Sequence, residues 1–127
     1  MTAKEKIEQA APAFVANLEG AKAEKWKADT MLIPSPAMIR EAIAGIPKGE
    51  TKTVVQLREE LAEANGADVT CPRATTIGWY LVAEAAAEDA TDDTPWWRLT
   101  RDGKPEPKLP GGRDGQRGKL AAEGVRI

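Results

Sequence analysis

Residues 53–87 read TVVQLREELAEANGADVTCPRATTIGWYLVAEAAA, and this stretch predicts two helices joined by a short linker. In its first half, Val54, Leu57 and Leu61 recur at the spacing of one buried helix face. Pro72 then suits the first turn of a second, apolar helix that continues to about residue 87. Two helices with a short connection are a candidate helix-turn-helix unit.

Capping residues mark the start of that first helix and of an earlier one. Thr53 has the side chain of an N-cap and directly precedes the apolar periodicity. Further upstream, residues 31–33 form a short apolar run that predicts a strand. Ser35 suits an N-cap and Pro36 the first helical position, so we expect a helix from there to about residue 44.

The C-terminal third contains turn residues that separate a strand from a final helix. Residues 96–100 predict a strand ending at the Asp102-Gly103 turn, which indicates a small β-hairpin. Gly111-Gly112 forms a flexible corner, and we expect the last helix at about residues 114–122. The predicted fold class is therefore mainly α with a small β-hairpin, an α/β domain.

The N-terminal segment is predicted to lie outside the main domain. Residues 1–30 have apolar residues at helix-like spacing, interrupted by Pro12 and Gly20, which indicates a helical, loosely attached arm. A chain of 127 residues with 42% apolar composition supports one hydrophobic core. We assign that core to a single domain of residues 31–127.

Composition narrows the classes of function. No apolar run approaches the length that spans a bilayer, and the N terminus leads into no apolar signal core, so we expect a cytoplasmic monomer without membrane contact. Cys71 is the only cysteine and the chain has no histidine, so we expect no disulfide, metal or cofactor. Without histidine, serine and cysteine triads of the usual form cannot be assembled.

The charges are distributed unevenly along the chain. Residues 1–94 carry 10 Lys/Arg against 16 Asp/Glu, a net charge of −6. Residues 95–127 carry 8 Lys/Arg against 4 Asp/Glu, a net charge of +4. The basic C-terminal segment is therefore the part of the chain suited to phosphates, although a solvated surface would have the same composition.

A series of short motifs runs through the last two-thirds of the chain. In order, they are Ile46-Pro47-Lys48-Gly49 with Thr53 and Gln56, then Pro95-Trp96-Trp97-Arg98, Asp102-Gly103, Gly111-Gly112 and Glu123-Gly124-Val125. Together they resemble the DNA-binding domain of alkylguanine-DNA alkyltransferases, and the Pro-Trp pair is similar to that of alkyltransferase-like proteins. The resemblance implies a winged helix-turn-helix-like fold that binds double-stranded DNA.

The resemblance places unreactive residues at the family's reaction centre. The acceptor cysteine corresponds to Trp96, the activating histidine to Trp97, its glutamate to Glu123 and a pocket tyrosine to Leu109. Alkyl transfer at this position is chemically excluded, because an indole nitrogen only donates a hydrogen bond. What remains implied is a lesion pocket of these four residues for an alkylated guanine flipped from the duplex, in a complex that a repair protein recognises.

The expected DNA contacts combine the second helix of the helix-turn-helix unit with the basic segment. The chain departs from the family at Val54, where a tyrosine rotates the target phosphate, and at Thr75, where an arginine fills the gap left by the flipped base. The residues predicted to contact DNA are Arg73, Thr75, Thr76, Arg98, Arg101, Lys108 and Arg113.

Two other functions remain open. Cys71 is the only thiol that can accept an alkyl group, and its stoichiometric alkylation would make the protein an enzyme. Alternatively, the acidic first two-thirds suit a protein-interaction module that uses the same fold without DNA. For Trp96 and Trp97, the structural alternative is one ring in the core and the other covering an edge.

Overall fold

The computed structural model describes residues 1–127 as a small α/β fold dominated by helices. The helices are α1 Ala3–Gln9, α2 Gly20–Trp26, α3 Pro36–Ala44, α4 Val54–Ala64, α5 Pro72–Glu88 and α6 Gly112–Ala121. The strands are β1 Phe14–Asn17, β2 Thr30–Ile33, β3 Lys52–Thr53, β4 Val69–Thr70 and β5 Leu99–Thr100, and a 3₁₀ turn spans Trp96–Arg98. None of the helices is long and apolar enough to cross a membrane.

The predicted helix starts are confirmed where local capping determines them. The Ser35 hydroxyl accepts a hydrogen bond from the Met38 amide at 3.1 Å, and α3 begins at the following proline. Thr53 and Gln56 form a capping box on α4, in which the Gln56 amide donates to the Thr53 hydroxyl and the Thr53 amide to the Gln56 side chain. These contacts satisfy amide groups that the first helical turn leaves free.

The strands form two small sheets rather than the expected hairpin. Strand β2 lies between β1 and β4, antiparallel to the first and parallel to the second. Strands β3 and β5 pair in parallel. After β5 the chain turns at Asp102-Gly103, but only one isolated bridge, between Arg101 and Lys104, joins the two sides. The hairpin is short because three prolines follow within the next few residues and cannot extend a ladder.

The connection between α4 and α5 is more than a turn. Residues 65–71 include β4, which pairs with β2, and the Cys71 amide donates to the Leu32 carbonyl at 2.9 Å. The linker is therefore tied to a sheet outside the helix pair. Both predicted helices are confirmed, whereas the specific winged helix-turn-helix arrangement remains an expectation.

The expected N-terminal arm is partly helical, in α1 and α2, but its loose attachment is wrong. Helix α1 buries Ala3 and Ile7 against the main core, and the Ala3 amide donates to the Glu88 carboxylate at the end of α5. Downstream of Pro12, residues 14–17 form a strand that pairs with β2 instead of a helix. Apolar spacing predicted the helix, but pairing with a distant strand determined the conformation.

A single hydrophobic core connects α1, α3, α4 and α5 with the segment around the 3₁₀ turn. Trp79 of α5 is fully buried in it. Helices α3 and α5 approach closely at Gly78, where an added Cβ atom would lie 2.9 Å from Cγ1 of Ile39. This core joins the 3₁₀ turn to the middle of α5, where the Trp79 indole also donates to the Trp96 carbonyl.

Candidate functional site

Trp96 and Trp97 lie on a 3₁₀ turn, where the sequence predicted a strand. The Trp96 carbonyl accepts a hydrogen bond from the Trp79 indole at 3.0 Å. The Gln116 side-chain amide donates to the carbonyls of Trp97 and Leu99 at 3.1 and 2.8 Å. The carbonyls of Trp96 and Trp97 are thus bonded by side chains and not by a neighbouring strand, and strand pairing begins only at Leu99.

Two residues of the expected lesion pocket are core residues. Trp96 is 5% exposed and Leu109 is 4% exposed, and both belong to the main hydrophobic cluster. The Trp96 and Trp97 rings meet edge to face, with centroids 5.6 Å apart. The two cavities of the molecule are lined by other residues. The structure therefore leaves no open space beside Trp96 for an extruded base.

Glu123 forms an ion pair with Arg98. Arg98 donates from Nε to Oε1 of Glu123 at 3.0 Å and from Nη2 to Oε2 at 2.6 Å. A third bond runs from Nη1 to the Ile46 carbonyl at 2.7 Å. The hydrogen bonds from Arg98 hold the pKa of Glu123 below its ordinary value, and those to Glu123 raise the pKa of Arg98.

This ion pair changes the interpretation of Arg98. Its side chain is only 14% exposed, and that of Glu123 is 8% exposed. A guanidinium that is largely buried and bonded at all three of its nitrogens has no free donor face, so the expected phosphate contact from Arg98 is not available in this conformation. The sequence suggested no partner for Arg98 because the two residues are 25 positions apart.

Trp97 has two cations near its ring and a buried indole nitrogen. The Arg98 guanidinium is 5.7 Å and the Lys119 ammonium 5.1 Å from the centre of its ring, within the range of cation–π attraction. Its indole nitrogen is buried without a hydrogen-bond partner. Trp97 thus covers the edge of the core, while Trp96 fills it.

A second site brings together residues of α5 and the loop after β5. Arg101 donates to the Glu106 carboxylate at 2.8 Å and to the Thr76 hydroxyl at 3.3 Å. A cavity of about 470 Å³ is lined by three cationic side chains, by the carboxylates of Asp102 and Glu106 and by the Tyr80 ring, among other residues. Its cations are Arg101, Lys104 and Lys108. Two of the predicted DNA contacts therefore share this cavity, and a third, Thr76, contacts Arg101.

Glu106 anchors the loop and was missed by sequence reasoning. Glu106 is 5% exposed. Its carboxylate accepts hydrogen bonds from the Arg101 guanidinium and the Lys108 amide. Its own backbone amide donates a hydrogen bond to the Gln116 side chain. Burial alone would raise the pKa of Glu106, but the hydrogen bonds from Arg101 and the Lys108 amide hold it below its ordinary value. The sequence carried no signal for this role, because Arg101 and Gln116 are 5 and 10 positions away and meet Glu106 only in the folded chain.

The remaining predicted DNA contacts differ in exposure. Arg73 and Arg113 are exposed, near the starts of α5 and α6. Thr75 is fully buried, and its hydroxyl donates to the Cys71 carbonyl at 2.8 Å, so the expectation that it reaches a groove of DNA is wrong. Because the Thr75 side chain points into the core, its hydroxyl hydrogen-bonds to a carbonyl of the helix backbone.

No protein-family model, curated protein or solved structure matches this chain. The resemblance of the motifs between Ile46 and Val125 to alkyltransferases therefore stays an expectation from the sequence. No group of three or more cysteine or carboxylate side chains is arranged to hold a metal ion. The function must therefore follow from the side chains of the two sites and from their charge.

Proposed function

We propose that this protein binds double-stranded DNA through a basic surface and transfers no alkyl group. The basic surface consists of Arg73, Arg101, Lys104, Lys108 and Arg113. The contact between Arg101 and Thr76 carries the proposal, because it attaches the loop after β5 to the first turns of α5. Residues three positions apart share a helix face, so Arg73 lies on the side of α5 that this contact defines.

The cations of this surface are available to phosphates. Lys104, Lys108, Arg113 and Arg73 form no ion pair with a carboxylate within 4.0 Å, as the four salt bridges of the molecule involve other cations. Arg101 is paired with Glu106, but its side chain is still 44% exposed. Exposed, unpaired lysines and arginines attract the DNA backbone and release its counterions, which supplies most of the affinity in sequence-independent binding.

Residue chemistry supports a non-catalytic role. Position 96 has no thiol and the chain has no histidine to activate one. We expect the intact mass of the protein to stay unchanged after incubation with methylated duplex DNA. A gain of one methyl group would contradict this part of the proposal and would make Cys71, the only thiol, the acceptor to examine.

Salt-dependent binding is the principal test. Fluorescence anisotropy with a labelled duplex at several salt concentrations gives the slope of log affinity against log salt. Each lost phosphate contact reduces that slope by about 0.9, so Lys108→Ala and Arg113→Ala should each flatten it. Lys22→Ala, an exposed lysine in the acidic part of the chain, is the matched control and should leave it unchanged. Binding that is absent or independent of salt would overturn the proposal.

A preference for alkylated guanine forms the finer part of the proposal. It is supported by the motif resemblance, and it requires Trp96 or Leu109 to move because both are packed in the core. We expect tighter binding to a duplex containing an alkylated guanine than to its unmodified match. Trp96→Phe, which keeps an aromatic ring in the core, should reduce this preference and leave the salt slope unchanged. Equal losses on both duplexes would mean that Trp96 has only a packing role.

A further inference from the structure

A second cavity, of about 560 Å³, lies between α4 and the segment around β4 and has no residue in common with the basic surface. Its size falls within the roughly 300 to 1,000 Å³ of typical binding pockets. We propose that this cavity, the acidic groove, binds a basic segment of another protein that inserts a large apolar side chain. The inference does not depend on DNA binding.

The apolar part of the groove includes two large side chains that are exposed to solvent. Trp26 at the end of α2 is 36% exposed and Val55 on α4 is 42% exposed, and both line the cavity with Ala62 and Val69. Helix α4 buries Val54 in the core and presents the next residue, Val55, to the groove. Large apolar side chains gathered at a concave surface mark a binding site more often than single exposed ones do.

The charged part of the groove is acidic. Its lining includes three carboxylates, Glu59, Glu63 and Asp68, against one cation, Arg58. Neither Glu59 nor Glu63 forms an ion pair, although they are one helical turn apart on α4 and repel each other there. A cation placed between them would relieve that repulsion.

Asp68 is held in its charged form on the opposite side of the groove. Its Oδ2 accepts hydrogen bonds from the Asp29 and Thr30 amides at 2.9 and 3.1 Å. These bonds hold the pKa of Asp68 below its ordinary value. Negative charge is thus present on both sides of the apolar lining, on the helix and on the segment before β4.

These charges determine the chemistry of the partner. Nucleic acids and anionic membranes carry negative charge and would be repelled by the three carboxylates. A peptide segment with lysine or arginine on either side of a leucine-sized or aromatic side chain matches both the acidic sides and the apolar lining. The cavity and the basic surface are lined by different residues, so such a partner need not compete with an anion bound there.

Peptide titration of the whole chain tests the assignment. The probe is a short capped peptide of lysine and alanine with two leucines one helical turn apart. One matched peptide has glutamate in place of lysine, and another has alanine in place of leucine. In two-dimensional NMR spectra we expect the first peptide to shift the Trp26 indole and the Ala67 and Val69 amide signals. Neither matched peptide should do so.

Variants locate the binding and supply controls. The double variant Glu59→Lys, Glu63→Lys should lower the affinity for the lysine peptide at least about tenfold at low salt, whereas Glu84→Lys, at an exposed position of α5, should not. Val55→Ser should lower the affinity for the lysine peptide by a similar factor. Ile77→Ser should not, because it removes a similarly exposed side chain that lies outside the groove. No binding at millimolar peptide, equal binding of the glutamate peptide, or equal effects of variants and controls would overturn the proposal.

Discussion

Arg98 and Glu123, expected to contact DNA and to line a lesion pocket respectively, instead form a two-point ion pair with each other. Truncating one partner would leave the other largely buried without its counter-charge. We therefore expect Arg98→Ala to lower the free energy of unfolding by about 2 to 3 kcal/mol, as measured by urea denaturation. Arg117→Ala is the control, because that side chain is half exposed and lies 3.8 Å from the fully solvated Asp114 carboxylate. A loss no larger than the control's would show that the ion pair adds no stability.

The same pair makes stability depend on pH. Because Arg98 holds the pKa of folded Glu123 below its ordinary value of 4.5, folding is favoured by this group above about that pH. The contribution is lost as the pH falls through the lower, folded pKa. As the pH is lowered through this range, the free energy of unfolding should decline less steeply for Glu123→Gln than for the unaltered protein, as measured by equilibrium unfolding. Parallel curves would rule out Glu123 as a source of the acid sensitivity.

Among the helices, α3 and α5 depend on a glycine at their closest approach. A Cβ on Gly78 would lie 2.9 Å from Cγ1 and 3.3 Å from Cβ of Ile39. We expect Gly78→Ala to destabilise the protein by about 1 to 3 kcal/mol despite the better helix propensity of alanine. Thermal unfolding followed by circular dichroism measures the change.

Helix α6 offers the matched substitution. Gly118 is also helical, but nothing lies within 4 Å of the Cβ that alanine would add. Gly118→Ala should therefore stabilise the protein by about 0.5 to 1 kcal/mol. The opposite signs of the two changes separate close helix packing from helix propensity, and a stabilising Gly78→Ala would contradict the packing described for α3 and α5.

At the scale of the whole molecule, α1 is part of the single core. Ile7 is 3% exposed and lies in the main cluster. Ile7→Ala should cost about 2 to 4 kcal/mol in unfolding experiments, with a single cooperative transition, because it removes buried apolar groups and leaves a cavity. Lys6→Ala, on an exposed neighbour, should have little effect. If Ile7→Ala were equally neutral, residues 1–10 would be a detachable arm after all.

Local chemistry allowed the sequence to predict α3, α4 and α5. Ser35 and Thr53 cap helices through side chains that reach amides three residues away, so their neighbours alone decide the helix start. The exposure of Arg73, Lys108 and Arg113 also agrees with sequence reasoning, since isolated charges stay in water unless a partner is present.

The sequence by itself determined the starts of α3, α4 and α5, the acidic and basic segments and the absence of a thiol at position 96. Only the tertiary structure decided that Trp96 is buried, that Arg98 pairs with Glu123 and that β1 joins β2. The physical reason is separation along the chain. Capping and helical periodicity act within a turn, whereas burial, ion pairing and strand pairing depend on residues that meet only after the chain has folded.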